Sequence, residues 1–355
     1  MNRLKKLAAL LVTLLFCSFA NAADFQQRID LEKRSNKEGI GQKEVTLLER
    51  VPGPGKEAVS KALLDQFKKA KTPITTAGKI ERKTRRNHVS IVGAGWFLDV
   101  SNDGSGVRYR NYGYLENKKE NGLPVSSRLS QERLETLGRQ FVKANLSRYI
   151  QLDKGEDLVP SFTEYAIGGV AEAKEGISKP EEKVYANTVV FTRTINNVSI
   201  VGPGSKIAIM FDNEGTPFGF DFDWPKYKQV SKIQKVLPLE GIKSRAKKLT
   251  TVPLDSPNVI VKRFECGLFD AGARKHNRQS VVQSACLVSY SEKKMVNQKA
   301  HERDRNSGHL LSSHIDFIPA GEEVILDEKW PQTLKLLNKE QKRDLAAPLA
   351  GPRKK

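Results

Sequence analysis

The sequence predicts an α+β protein made of tandem units, each a helix packed on a small antiparallel β-sheet. Three observations carry that expectation. Val198-Ser-Ile-Val-Gly-Pro-Gly204 repeats Val89-Ser-Ile-Val-Gly-Ala-Gly95. Each copy is followed by a turn sequence, Asp212-Asn-Glu-Gly215 after the second and Ser101-Asn-Asp-Gly104 after the first. An amphipathic helical pattern precedes each run of strand patterns, and a third helix-then-strands run follows them. A repeated stretch signals one supersecondary unit used more than once. A helix laid by its apolar stripe on one face of a sheet buries both surfaces.

The chain opens with an address. Arg3, Lys5 and Lys6 precede an apolar run from Leu7 to Phe19, and Ala20-Asn21-Ala22 supplies small residues before Ala23. That is the layout of a secretory signal peptide cleaved between Ala22 and Ala23. The apolar run is shorter than the ~20 residues that span a bilayer. The expected product is exported, periplasmic or extracellular, with no transmembrane anchor after cleavage. Removing the leader takes three positive charges from the formal net charge of +19 and leaves +16. So basic a chain is attracted to polyanions, and for an exported protein those are the polyanions of the envelope. About 333 residues remain, enough for two or three domains.

Residues 23–55 read as a polar lead-in with one apolar cluster, Val45, Leu47, Leu48 and Val51, suited to an edge strand. The first unit is expected over 56–125. Its helix, Lys56 to Lys71, places Val59, Ala62, Leu63, Phe67 and Ala70 on one face. Strands follow at Lys79–Arg86, His88–Val92, Trp96–Val100 and Val107–Tyr114. The second unit is expected over 126–235. Ser130 is placed to cap a helix whose stripe is Leu134, Leu137, Phe141, Ala144 and Tyr149. Strand patterns then run through Phe162–Val170, Val184–Ile195 and the hairpin around Asp212-Asn-Glu-Gly215, and Phe218 to Trp224 alternates strictly. The third unit, 236–330, starts with a helix from Pro238 to Leu249 and continues with strand patterns at Val259–Phe264, Val281–Tyr290 and His309–Ile318. A basic helix and tail are expected over 331–355.

Once Cys17 leaves with the leader, Cys266 and Cys286 remain. An even pair in an oxidising compartment reads as a disulfide in the third unit. No CxxC or close Cys/His spacing supports the alternatives, a metal site or a redox pair.

Residues 128–228 resemble the PepSY-type domain, which is cystatin-like in layout. The residues that carry the likeness are Val189-Val-Phe-Thr-Arg-Thr-Ile-Asn-Asn-Val-Ser-Ile-Val-Gly-Pro-Gly-Ser205, then Lys206-Ile-Ala-Ile-Met-Phe-Asp-Asn-Glu-Gly215, closing at Trp224-Pro225. In that family a helix precedes a small antiparallel sheet whose last hairpin turns on an acidic-Asn/Asp-Gly sequence. Members include propeptides of secreted metalloproteases and unattached exported proteins. The resemblance implies binding or inhibition of peptidases, or assisted folding in the envelope, without catalysis. The expected partner is an exported peptidase or a peptide segment.

No catalytic, metal or cofactor residues are assigned. His88, His276, His301, His309 and His314 fit no metal spacing such as HExxH. Gly202-Pro-Gly204-Ser205 is not a nucleophile elbow. Neither Gly-rich stretch has the Lys-Ser/Thr or the following helix of a phosphate loop. Asp212, Glu214, Asp221 and Asp223 gather around one hairpin and would hold calcium only if they converged. The densest basic cluster is Lys79, Arg82, Lys83, Arg85 and Arg86, with Arg108 and Arg110 expected on a nearby strand. It is the candidate polyanion-binding surface, with no specific nucleic-acid motif beside it. The alternative functions are thus an envelope-associated structural or adaptor protein held to polyanions, or an uncharacterised hydrolase.

Overall fold

The structure is a computed structural model that describes residues 23–33, 40–70, 72–85, 87–118, 122–172, 182–257, 259–273, 281–294 and 310–324. The helices form where the apolar stripes placed them. Helix α1 (Lys56–Phe67) buries Val59, Leu63 and Phe67. A short helix α2 (Tyr112–Lys118) takes over where the strand pattern was expected to run on to Tyr114. Helix α3 (Gln131–Phe141) starts at Ser130, whose side chain accepts the Arg133 backbone N–H at 3.2 Å. It runs on into a wider π turn over Val142–Leu146. Helix α4 (Leu239–Leu249) is entered through Pro238 and buries Ile242, Arg245 and Ala246.

The strands overturn the expected architecture. The fold is mostly β, not a tandem of helices on small separate sheets. Fourteen strands join in one mixed sheet, and four helices are present among the described residues. In chain order the strands are β1 (Ala23–Lys33), β2 (Glu44–Val51), β3 (Glu81–Thr84), β4 (His88–Val92), β5 (Trp96–Ser101), β6 (Gly106–Asn111) and β7 (Leu123–Pro124). Then come β8 (Glu156–Glu172), β9 (Lys183–Ile195), β10 (Val198–Val201), β11 (Lys206–Phe211), β12 (Pro217–Asp223) and β13 (Lys226–Lys235). The last three are β14 (Val259–Phe269), β15 (Gln283–Lys294) and β16 (Leu310–Pro319).

The expected separation fails at β6 and β12. Each is the last strand of its expected unit. Left apart, they would expose two rows of unpaired backbone groups. They pair with each other instead, Val107 opposite Phe222 and Tyr109 opposite Phe220. The sheet therefore runs unbroken through β3-β4-β5-β6-β12-β11-β9. Beyond β9 lie β8 and then β1, which pairs along its whole length with β8, Ala23 opposite Glu172. Helices α1 and α3 share one core on this sheet with Ile91, Leu98, Tyr109, Ile209 and Phe220. Tyr109 is buried, yet its hydroxyl is satisfied: it donates to the Thr75 carbonyl at 2.8 Å and accepts the Thr75 N–H at 3.0 Å.

The sequence repeat does not repeat in space. The first Val-Ser-Ile-Val lies in β4, between β3 and β5. The second lies in β10, which pairs with β9 over two residues and then turns away to run parallel to β14. From β14 the sheet continues antiparallel through β15 to β16. Helix α4 packs on this second part in a core of its own with Cys286, Val288 and Ile318. Arg245 ties α4 to the end of β16 by donating from Nη1 to the carbonyls of Pro319 and Gly321, each at 2.8 Å. Strands β2 and β13 form a separate two-stranded ribbon, which a Leu48–Val282 bridge joins to the residue just before β15.

Cys266 and Cys286 are directly opposite each other on β14 and β15 and form the disulfide. No described helix is long and apolar enough to cross a membrane.

Candidate functional site

The repeat motif matters because of what its glycines let in. Gly202 has φ +98°, and a Cβ there would lie 2.4 Å from the Asp270 carbonyl oxygen. A Cβ on Gly204 would lie 2.1 Å from Asp270 Cγ. The Gly202-Pro-Gly204 loop is thus a seat for Asp270, which follows β14. Its backbone is clamped there: Asp270 N–H donates to Val201 O at 2.9 Å, and Gly204 N–H donates to Asp270 O at 3.0 Å.

Around Asp270 the two parts of the sheet and the ribbon meet in a buried polar cluster. Arg50, at the end of β2, donates from Nη1 to both Asp270 carboxylate oxygens at 2.7 and 2.9 Å. Its Nη2 reaches Asp223 Oδ1 of β12 and Ser105 Oγ, both at 2.9 Å, with Asp103 at 3.9 Å. Tyr227 of β13 donates its hydroxyl to Asp270 Oδ2 and lies 2.8 Å from Ser205 Oγ. Beneath it Arg193 of β9, with 2% of its surface exposed, lies 4.0 Å from the centre of the Trp224 ring. Arg193 donates to the Pro225 carbonyl at 2.9 Å and has Glu156 at 3.5 Å.

The electrostatics follow from burial and these partners. Burial alone would pull the Arg50 guanidinium down, but Asp270 and Asp223 hold it above its ordinary value, so it stays charged. Burial and the Asp270 charge raise the Tyr227 phenol well above its usual range. Burial pushes the Asp223 carboxyl up to about 6, with Arg50 opposing and Asp270 adding to the rise. Asp103 goes the other way, because bonds from Ser101 and Ser105, together with Arg50, outweigh its burial.

On the face of the main sheet away from the helices, Lys206 of β11 is half-buried, and burial next to Arg263 brings its amine down to about 8 despite Glu265. Glu164 of β8 is raised by burial, against Arg110 and Arg263.

The carboxylates gathered around the hairpin do not converge. Asp212 caps its own turn, accepting the N–H groups of Glu214 and Thr216 at 2.9 and 2.8 Å. Asp221 is held by Arg108 and Arg110 at 3.3 and 3.1 Å. Asp223 belongs to the Arg50 cluster. Among the described residues no group of His, Cys, Asp and Glu is placed to hold a metal.

The basic cluster is spread along the free edge strand β3 and its flanks. Lys79, Arg82, Lys83 and Arg85 are exposed there, and Arg86 lies outside the described residues. Arg82 pairs with Glu57 of α1, and Lys83 with Glu81 at 3.1 Å. Arg108 and Arg110 are not beside them but on β6, three strands across the sheet. Of the histidines, His88 is in β4 and His314 stacks on Tyr290, ring centres 5.1 Å apart; His276, His301 and His309 lie outside the described residues. Ala22 also lies outside them, and Ala23 is the first residue of β1.

The opposite end of the sheet offers a different edge. Strand β16 pairs with β15 over ten residues, and no described strand pairs with its outer side. Ile315 on it is 69% exposed.

Reading the sequence did not single out Arg50, Asp270 or Tyr227. Each is an ordinary residue in its own segment, and Arg50 and Asp270 are 220 residues apart. The usable signal lay in the Gly202-Pro-Gly204 pair of glycines, which marks a close approach without saying of what.

No family model matches the chain, and no curated protein matches it. Among solved structures, the chain is similar to the crystal structure of an uncharacterized protein from Eubacterium rectale, at 11% identity and TM-score 0.45, with 80% of this chain and 87% of that chain covered.

Proposed function

We propose that the protein is an exported, non-enzymatic binding protein that takes up an extended peptide segment, such as part of an exported peptidase, by strand addition along the outer edge of β16. The observation that carries this reading is the edge itself: ten residues of strand, paired on one side by β15 and by no described strand on the other, with Ile315 turned out to solvent. Main-chain hydrogen bonds along a strand edge give a peptide its affinity, and an exposed apolar side chain gives it an anchor. Of the other edges among the described strands, β1 is likewise paired by β8 alone, and β3 suits this role poorly. Strand β3 is four residues long and fully exposed, and it carries charges of the kind that discourage pairing. The PepSY-type resemblance over residues 128–228 supports a peptidase as the source of the segment. The leader-like start and the Cys266–Cys286 disulfide support export, since such bonds persist in oxidising compartments.

The polyanion reading is weakened by the partners of its own residues, because Arg82 and Lys83 are already paired with acids and Arg108 and Arg110 are held by Asp221. The test immobilises the mature chain and exposes it to the host's exported proteins at about 0.15 M salt, where exposed charges are largely screened. A peptidase that stays bound through rising salt, and is lost with Ile315→Asp but kept with Arg82→Glu/Lys83→Glu, supports strand addition. Capture that leaves with salt and is lost with the charge reversal, while Ile315→Asp changes nothing, overturns it.

A further inference from the structure

Among the described residues the Arg50 cluster holds more negative than positive charge. Asp103, Asp223 and Asp270 surround one guanidinium, all within 3.9 Å of it. Arg193, the next cation, lies under Tyr227 and is shared between Glu156 and Asp270. Lys206 is opposite Asp223 in register, but the charges that act on its amine are those of Arg263 and Glu265. Asp221, two residues along β12, is taken by Arg108 and Arg110.

The three carboxylates are not equally supplied with donors. Asp270 accepts from Arg50 on both oxygens, from the Tyr227 hydroxyl and from the Gly272 N–H at 2.9 Å. Asp103 accepts from Ser101 Oγ at 2.7 Å, from the Ser105 N–H at 3.1 Å and from Ser105 Oγ at 2.9 Å. Among the described residues Asp223 has two donors, Arg50 Nη2 and the Ala273 N–H. A buried carboxylate short of donors and close to another carboxylate is the one that takes up a proton.

We propose that this junction is a proton-linked clamp: Asp223 binds a proton in the folded chain, relieving its repulsion with Asp270, so that mildly acid surroundings strengthen the grip between β12, the β2–β13 ribbon and the end of β14. The direction is opposite to that of an ordinary ion pair. A carboxyl brought to about 6 from an ordinary 3.8 binds its proton more tightly folded than unfolded. Its contribution to stability is therefore greatest below the unfolded value and is lost as pH rises through the folded one.

The test compares urea unfolding midpoints of the wild type and Asp223→Asn, a mimic of the protonated acid, at about pH 7.5 and about pH 5. The difference between the two proteins cancels the titrating groups that do not interact with Asp223. The expected result is that the wild type gains on the variant as pH falls, closing at least half of any gap in the variant's favour. A difference that does not change with pH, or moves the other way, overturns the proposal. Should Asp223→Asn fail to fold, carboxyl-carbon NMR of the wild type decides. One aspartate titrating near pH 6 supports the clamp, and all of them titrating below about pH 4.5 overturns it.

Discussion

Gly204 and Asp270 occupy space that no side chain on Gly204 could share: a Cβ there would stand 2.1 Å from Asp270 Cγ and 2.3 Å from Oδ2. The aspartate is itself tied to Arg50, Tyr227 and Gly272, so it cannot simply swing aside. Gly204→Ala should lower stability by about 2 kcal/mol or more, in the range of overpacked cores. Urea unfolding reads it, and a midpoint unchanged from wild type would show that Asp270 moves freely.

Arg50→Met removes the cation from between Asp223 and Asp270. Breaking one side of a buried ion pair costs about 3–5 kcal/mol, because the remaining charges are left uncompensated. The loss should be largest near neutral pH and smaller near pH 5, where a proton replaces part of the missing charge. Equal losses at both pH values would contradict that account.

The bridge between β14 and β15 closes a span of 20 residues. In the chain-entropy view such a crosslink stabilises by about 3 kcal/mol. Cys266→Ala/Cys286→Ala, or full reduction, should lower the free energy of unfolding by that amount without loosening the main sheet. Hydrogen exchange of β4, β5 and β6 is the check on the second clause.

Lys206 gives a prediction of the opposite pH sense to Asp223. Its amine is brought to about 8 from an ordinary 10.5, so between those values the unfolded chain holds more protons than the folded one. Stability from this group therefore rises with pH across that window and is lacking at neutral pH. Lys206→Met should be more stable than wild type at about pH 7, and its advantage should shrink toward pH 10. An advantage that stays constant would mean that packing alone is responsible.

What could be read from the sequence was what is local. The stripes of Val59, Leu63 and Phe67, and of Leu134 and Phe141, located two helices. Ser130 marked where one of them begins, and the parity of cysteines gave the disulfide. The architecture was not local. Whether β6 and β12 close two sheets or join one depends on two strands more than a hundred residues apart meeting edge to edge, which period-two alternation cannot express. The repeat misled for a related reason. Val-Ser-Ile-Val suits any buried strand, and its second copy is turned away from β9 by a partner, β14, that lies far downstream. The Arg50 cluster was hidden more deeply still, because its acids come from three separate segments.

The parallel contact of β10 with β14 spans two residue pairs, Ile200 with Leu268 and Val201 with Phe269. It also sets an order of events during synthesis. Arg50 leaves the ribosome 173 residues before Asp223 and 220 before Asp270. Until the later segment arrives, an otherwise finished main sheet carries β10 without its neighbour and the Gly202-Pro-Gly204 seat without its occupant. A message broken early, or a protease cut just after Lys235, yields a chain in which Arg50 keeps Asp223 and Ser105 but lacks Asp270. The last third of the polypeptide thus acts as a seal of completeness on the first.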